Sequence, residues 1–230
     1  MIDHALLHPT LTRDAVRRGL EMAIAFDVAS VCVMPCYVDM TAKLLGPTGV
    51  KTSTVIGFPL GVTSTATKCA EAKQMLDSGC EELDMVANIS AVLSDDWQHV
   101  EDDIAAIVEI THAAGQKVKV IFENCYLQDA HKTRLCEICT KLNADWVKTS
   151  TGFGTGGATR EDLQLMLGSV GGAVQVKAAG GVKTLETLVD YRSLGVTRCG
   201  ASSTAEILSA ARQQLGLPPV QVKADAVEGY

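Results

Sequence analysis

Apolar positions along the chain follow two periods. Short runs rich in β-branched residues recur: "VASVCVMP", "KTSTVIGF", "EELDMVAN", "QKVKVIFE", "ADWVKTS", "AVQVKAAG" and "VTRCGAS". Their length and composition predict buried strands. Between them lie stretches with the i, i+3, i+4, i+7 spacing of an amphipathic helix. Val100, Ile104, Ile107 and Val108 form one such stripe, opened by Asp95 and Asp96 and closed near Gly115. A short acceptor side chain before a helix and a glycine after it satisfy the free backbone groups at its two ends. "TRED", Thr159 to Asp162, reads as a capping box opening a helix that carries Leu163, Met166 and Leu167. "TLETLVDYRSL" supplies the shorter helix between the last two strands.

The N-terminal piece "IDHALL" brings the strands to eight, alternating with helices. That is the pattern of an α/β protein with a single closed (β/α)8 TIM barrel, a fold of about 250 residues. An open doubly wound sheet is the alternative. It usually places GxGxxG after its first strand, and nothing of that form follows "IDHALL" or "SVCVMP". No linker or repeat divides the chain. Residues 1–216 read as the barrel domain, and residues 217–230, from "LPP" onward, as a loosely attached tail able to fold back over the site.

Composition narrows the function. The 230 residues are 47% hydrophobic and 20% charged, a mixture that forms a large core. A formal net charge of −7 gives no basic footprint for nucleic acid. "MIDHALLHPT" lacks a signal pattern, and no apolar run approaches a membrane span, so a cytoplasmic protein is expected. The eight cysteines are scattered through apolar segments and read as reduced core thiols. "LCEICTKL" has CxxC spacing, yet Leu135, Ile138, Cys139 and Leu142 follow a helix stripe, which favours core packing over metal or redox use.

Titratable residues fall where a barrel carries its chemistry, at or near the C-terminal ends of strands. They are Asp3, Asp84, Lys119, Glu123, Lys148 and Lys177. Alternation puts Trp146, Lys148 and Ser150 on one face, and Gln175, Lys177 and Ala179 on the matching face of the next strand. Adjacent strands lie about 4.8 Å apart, so two inward lysines come within mutual reach and disfavour double protonation. A neutral amine is a nucleophile towards carbonyls. The bland alternative is a structural ion cluster with Asp84 and Glu123. Two lysines on adjacent strands facing an aspartate tip the reading to catalysis.

The glycine-rich segments extend it. "GFGTGGAT" follows the sixth strand, "AAGGVKT" ends the seventh, and "CGASSTAE" ends the eighth and opens a helix with apolar Ile207, Leu208, Ala211 and Leu215. Barrels commonly bind phosphate with the loops after strands 7 and 8 and a helix N-terminus. Gly152, Gly180, Gly181, Gly200, Ser202 and Ser203 are the candidate phosphate contacts.

Taken in order, "IDHALL", "VCVMP", "VIGFPLG" with Thr67, Lys68 and "EA", "ELDMVANI", "KVIFE", "VKTSTGF", "VKAAGGVKT" and "GASS" resemble the deoxyribose-phosphate aldolase family over nearly the whole chain. The resemblance implies a class I aldolase on a (β/α)8 barrel, with neither metal nor cofactor. Its reaction would be reversible cleavage of 2-deoxy-D-ribose 5-phosphate to D-glyceraldehyde 3-phosphate and acetaldehyde. It implies that Lys148 forms the Schiff base, that Lys177 lowers its pKa and that Asp84 moves protons through a water. Asp3 would join the proton network, Lys119 would support Asp84, and a homodimer is the implied assembly. The terminal Tyr230 corresponds to a tyrosine that reaches the active site on a mobile tail in family members.

The chain departs from the family pattern in places. Ala5 stands where threonine is frequent, His8 where lysine is, and Phe153 where some members carry a phosphate-facing lysine, for which Lys183 or Arg198 could compensate. Cys32 falls near the pocket, with core packing as its main reading. Another lysine-dependent sugar-phosphate aldolase or transaldolase fits the strand ends equally. A silent barrel that binds a phosphorylated metabolite would have lost one of Asp84, Lys148 and Lys177, and all three are present.

Overall fold

In the computed structural model, which describes residues 1–221, all eight strands form. They are β1 (Ile2–Leu6), β2 (Ser30–Val33), β3 (Lys51–Ile56), β4 (Glu82–Val86), β5 (Lys117–Ile121), β6 (Trp146–Lys148), β7 (Gln175–Ala179) and β8 (Arg198–Ala201). Each pairs in parallel with the next, and β8 pairs with β1 through Asp3 opposite Gly200, closing a barrel in sequence order. Closure excludes the open doubly wound sheet. Tyr230 lies outside the described residues, and so does the tail's expected return over the site.

The helices surround this barrel: α1 (Arg13–Ala25), α2 (Val38–Leu45), α3 (Thr65–Asp77), α4 (Ile89–Leu93), α5 (Trp97–Ala113), α6 (Asp129–Lys141), α7 (Arg160–Val170), α8 (Leu185–Leu194) and α9 (Thr204–Gln214). Sequence caps set several of their ends. The Asp96 carboxylate accepts from the His99 amide at 3.3 Å at the start of α5, and the Thr159 hydroxyl accepts from the Asp162 amide at 3.1 Å at the start of α7. The single turn α4 has no apolar period of its own and was not foreseen. Cys136 and Cys139 are buried on α6 beside Leu135 and Ile138, and burial pushes the Cys136 thiol up to about 12. They are core thiols.

Alternation along each strand divides the barrel wall in two. Val31, Val33, Leu83, Met85, Val118, Val120, Val147 and Val176 pack outward into one apolar cluster with Leu20 of α1, Ile104 and Ile107 of α5, Leu135 of α6 and Met166 of α7. Removing each such side chain from water contributes about 1.5–3 kcal/mol, so this shell generates most of the fold's stability.

One charged pair sits in that shell. The fully buried Lys68 of α3 donates to the Val86 carbonyl at 2.9 Å and to Asp103 of α5 at 2.5 Å, while the Thr65 hydroxyl donates to the other Asp103 oxygen at 2.8 Å. The Glu71 carboxylate accepts from the Gly57 amide at 2.8 Å. These bonds tie α3 to the C-terminal ends of β3 and β4, at the mouth of the barrel.

Candidate active site

The alternate residues of the same strands fill the barrel's interior, and there they are charged. Lys148 and Lys177 lie opposite each other in the β6–β7 register, as Asp84 and Lys119 do across β4–β5. Asp84 sits at the centre. One of its oxygens accepts from Lys119 at 2.7 Å, and the other accepts from Lys148 at 2.7 Å and Lys177 at 2.8 Å. Asp3 on β1 faces Lys177 at 2.6 Å and the Arg198 guanidinium at 2.5 Å. Glu82, two residues before Asp84, accepts from Lys119 at 2.7 Å and from Arg198 at 2.7 Å and 3.1 Å. All seven groups come from one chain, and contacts between β4 and β7 or β8 are made only across the inside of a barrel.

These positions make the two facing lysines unequal. Burial disfavours the charged form of both. For Lys177 the Asp3 and Asp84 carboxylates outweigh that penalty and hold its pKa above the ordinary lysine value. Lys148 has Asp84 alone, and burial, reinforced by the positive charge of Lys177, takes its pKa below the ordinary value. Of the two, Lys148 is therefore the amine that holds its proton less firmly. Asp84 stays ionised well below the usual carboxylate range despite its burial, because Lys119, Lys148 and Lys177 surround it.

Lys148 and Lys177 open into a cavity of about 440 Å³ at the C-terminal ends of the strands. Asp3, Gly152, Gly180, Gly181, Gly200 and Ser202 line it, together with Lys183, Phe153, His8 and Cys32. Ser203 stands at the N-cap position of α9, without a side-chain capping bond, and does not line the cavity. Asp84 and Lys119 lie beneath the lining, reaching it through the two lysines. Glycine is required where the loops meet: a Cβ on Gly157 would come within 2.3 Å of the Gly180 carbonyl oxygen. A Cβ on Gly200 would crowd Ala179 at 3.3 Å and Lys177 at 3.6 Å. Arg198 does not replace the missing phosphate-facing lysine, since its guanidinium is bound to Asp3 and Glu82 below the cavity; Lys183 is at the cavity. Phe153 instead packs edge-on against Phe58, ring centres 5.3 Å apart. Cys32 is both buried and at the cavity wall, and burial with the Asp84 charge raises its thiol pKa, which disfavours the reactive thiolate.

The family model for DeoC/LacD family aldolases matches residues 1–203. The chain belongs to the DeoC/LacD aldolase family. It is 60% identical to the deoxyribose-phosphate aldolase of Rhodopirellula baltica over 230 residues, covering all of this chain and 95% of that one. To the deoxyribose-phosphate aldolase of Thermococcus kodakarensis it is 44% identical over 212 residues, 91% of this chain and 95% of the other. Among solved structures, the aldolase QR15 superposes with a TM-score of 0.87 at 34% identity, covering 93% of this chain and 96% of that one. The deoxyribose phosphate aldolase of Aeropyrum pernix, described as tetrameric, gives 0.85 at 30% identity, covering 93% and 90%.

In this DeoC/LacD aldolase, the structure adds Glu82 to the charged network and gives Arg198 and Glu123 contacts that the sequence does not announce. Glu82 carried a signal, because it shares the phase of Asp84 on one strand. Arg198 was weighed only as a phosphate contact, because its partner Glu82 is brought to it by closure of the barrel. Glu123 has a left-handed backbone, φ +59°, and its carboxylate accepts from the amide and hydroxyl of Thr151. The Thr151 hydroxyl in turn accepts from the Phe153 amide at 3.0 Å, which fixes the loop over Lys148. His4 lies on the outer face, paired with Thr204 at 2.9 Å, and burial pushes its pKa down to about 4.

Proposed function

We infer that this enzyme is a class I aldolase that reversibly cleaves 2-deoxy-D-ribose 5-phosphate to D-glyceraldehyde 3-phosphate and acetaldehyde through a Schiff base on Lys148. The observation that carries the reading is the asymmetry of two facing buried lysines that share one aspartate oxygen. It supplies a neutral amine and a neighbouring cation in one cavity.

The Lys148 amine adds to the C1 aldehyde, and loss of water gives an iminium. When the C2–C3 bond breaks, its electron pair moves into an enamine, and the C3 hydroxyl loses its proton as the second aldehyde forms. Protonation of the enamine at C2 and hydrolysis of the iminium release acetaldehyde and return the free amine. Asp84, within 2.7 Å of Lys148, is the group to move these protons, with a water as carrier. Lys177 and Asp3 complete the proton network, and Lys119 holds Asp84 in place. Gly152, Gly180, Gly181, Gly200 and Ser202 meet the phosphate with Lys183, at the N-termini of α8 and α9, where free amides favour an anion. For assembly we propose a homodimer; the charged network needs no residue from a second copy. Eight unpaired cysteines support the reducing cytoplasm.

The test is direct assay of both products from 2-deoxy-D-ribose 5-phosphate. Wild type should release them in equal amounts and Lys148→Ala should release neither. Turnover by Lys148→Ala, or a different pair of products, would overturn the reading.

A further inference from the structure

Lys148 stands at the edge of a buried network of charge. Asp84 of β4 bonds it directly and Lys177 of β7 acts on it from the next strand. These two are bound in turn to Lys119 of β5 and Asp3 of β1, and Glu82 of β4 with Arg198 of β8 completes the network, while β2 and β3 bring the neutral Cys32 thiol and Ser53 hydroxyl. With Lys148 as a free amine, the remaining cations Lys119, Lys177 and Arg198 balance the carboxylates Asp3, Glu82 and Asp84. Protonating Lys148 breaks that balance inside a barrel where each carboxylate is nearly or fully buried.

Four members of this set, Glu82, Asp84, Lys119 and Arg198, lie beneath the cavity lining, and of these Glu82 and Arg198 make no contact with Lys148 or Lys177 among the ion pairs described. Glu82 and Arg198 do not line the cavity; they lie on its floor, bound to each other through two nitrogens and held against neighbouring groups. Arg198 rests 5.0 Å from the Trp146 ring centre, with Lys119 5.7 Å from that same centre. Each carboxylate that serves Lys177 is also shared with a floor cation, Asp3 with Arg198 and Asp84 with Lys119. Glu82 is a second counter-ion to both floor cations and so lessens their claim on the carboxylates that charge Lys177.

We propose that Glu82 and Arg198 are positioning residues that set the charge of the lumen floor and thereby keep Lys148 a free amine at working pH. This rests on Lys148 as the nucleophile. Their effects have opposite sign. Glu82→Gln leaves the lumen with an excess positive charge, so Lys148 holds its proton less firmly. Arg198→Met leaves an excess negative charge, so Lys148 holds it more firmly.

The experiment is the pH profile of kcat/KM for wild type, Glu82→Gln, Arg198→Met and the double variant, with borohydride trapping of acetaldehyde and peptide mapping on each. The acid limb should move down in Glu82→Gln and up in Arg198→Met, each by about one pH unit, or roughly tenfold in rate along the limb. It should return to the wild-type position in the double variant, whose charge count is restored. Should Arg198→Met fail to fold, the downward shift in Glu82→Gln and its reversal in the double variant suffice. Limbs that stay in place, or move together, while the adduct still maps to Lys148 would overturn the proposal. An adduct absent from Lys148 in wild type would instead overturn the nucleophile assignment.

Discussion

The two faces of one barrel wall are built from alternate residues of the same strands, and they differ in almost every respect. Outward, Leu83 and Met85 of β4 are fully buried against helices; inward, Glu82 and Asp84 are nearly as buried and hold four basic side chains between them. Barrel interiors are ordinarily filled by layers of branched apolar side chains. Here the apolar side chains inside form small patches, Leu7, Cys32 and Val55 on one side and Val86, Ile89 and Ile121 on the other, with the Trp146 ring against Arg198 and Lys119. Each buried ion costs several kcal/mol in lost hydration, which pairing only partly offsets. The outer face stabilises, and it holds the inner face in place, where burial lowers the Lys148 pKa.

That contrast can be broken first in the outer shell. Asp103→Ala leaves Lys68 buried without its carboxylate and should cost about 3–5 kcal/mol of stability by denaturant titration, with kcat per folded molecule little changed. The loss should shrink as pH rises: burial already lowers the Lys68 pKa, so without Asp103 the folded state carries a neutral amine while the unfolded chain remains protonated up to about pH 10. A large loss of kcat in the folded variant would mean that the shell and the lumen are not separable.

A smaller effect comes from His4. Its folded pKa of about 4 lies below the unfolded value near 6.5, so the unfolded state binds the proton first and stability falls as pH drops through that window. The expected loss is about 3 kcal/mol between pH 6.5 and 4. Thermal melts of His4→Gln should show a shallower acid slope than wild type; identical slopes would place the acid sensitivity elsewhere.

The smallest stability change is expected where the activity loss is greatest. Lys148→Met should alter unfolding free energy by no more than about 1 kcal/mol, since burial already disfavours the Lys148 charge and Asp84 keeps Lys119 and Lys177 as partners. A loss of several kcal/mol would show that Lys148 is an obligatory ion of the folded state.

These two faces were unequally legible in the sequence. The outer face could be read from period alone, because Leu83 and Met85 or Val118 and Val120 carry the strand signal themselves. So could the facing of Lys148 and Lys177, since "VKTS" and "VKAA" on consecutive strands share a phase. The Glu82–Arg198 contact was not legible, because β4 and β8 meet only across the closed lumen, a tertiary fact that no local pattern encodes. Glu123 stands out in the sequence as a strand-end carboxylate, but its role holding Thr151 does not, because nothing in "KVIFEN" announces a left-handed turn at a charged residue. Arg198 was misplaced at the phosphate because a cation near glycines suggests an anion site, whereas barrel closure gives it two carboxylates first.

The central claim is that the lumen keeps Lys148, and not Lys177, as the free nucleophile. Borohydride reduction in the presence of acetaldehyde, followed by peptide mass mapping, tests it most directly. The account predicts a single adduct on Lys148, lost in Lys148→Ala and retained in Lys177→Ala. An adduct on Lys177, or none in active enzyme, would contradict it.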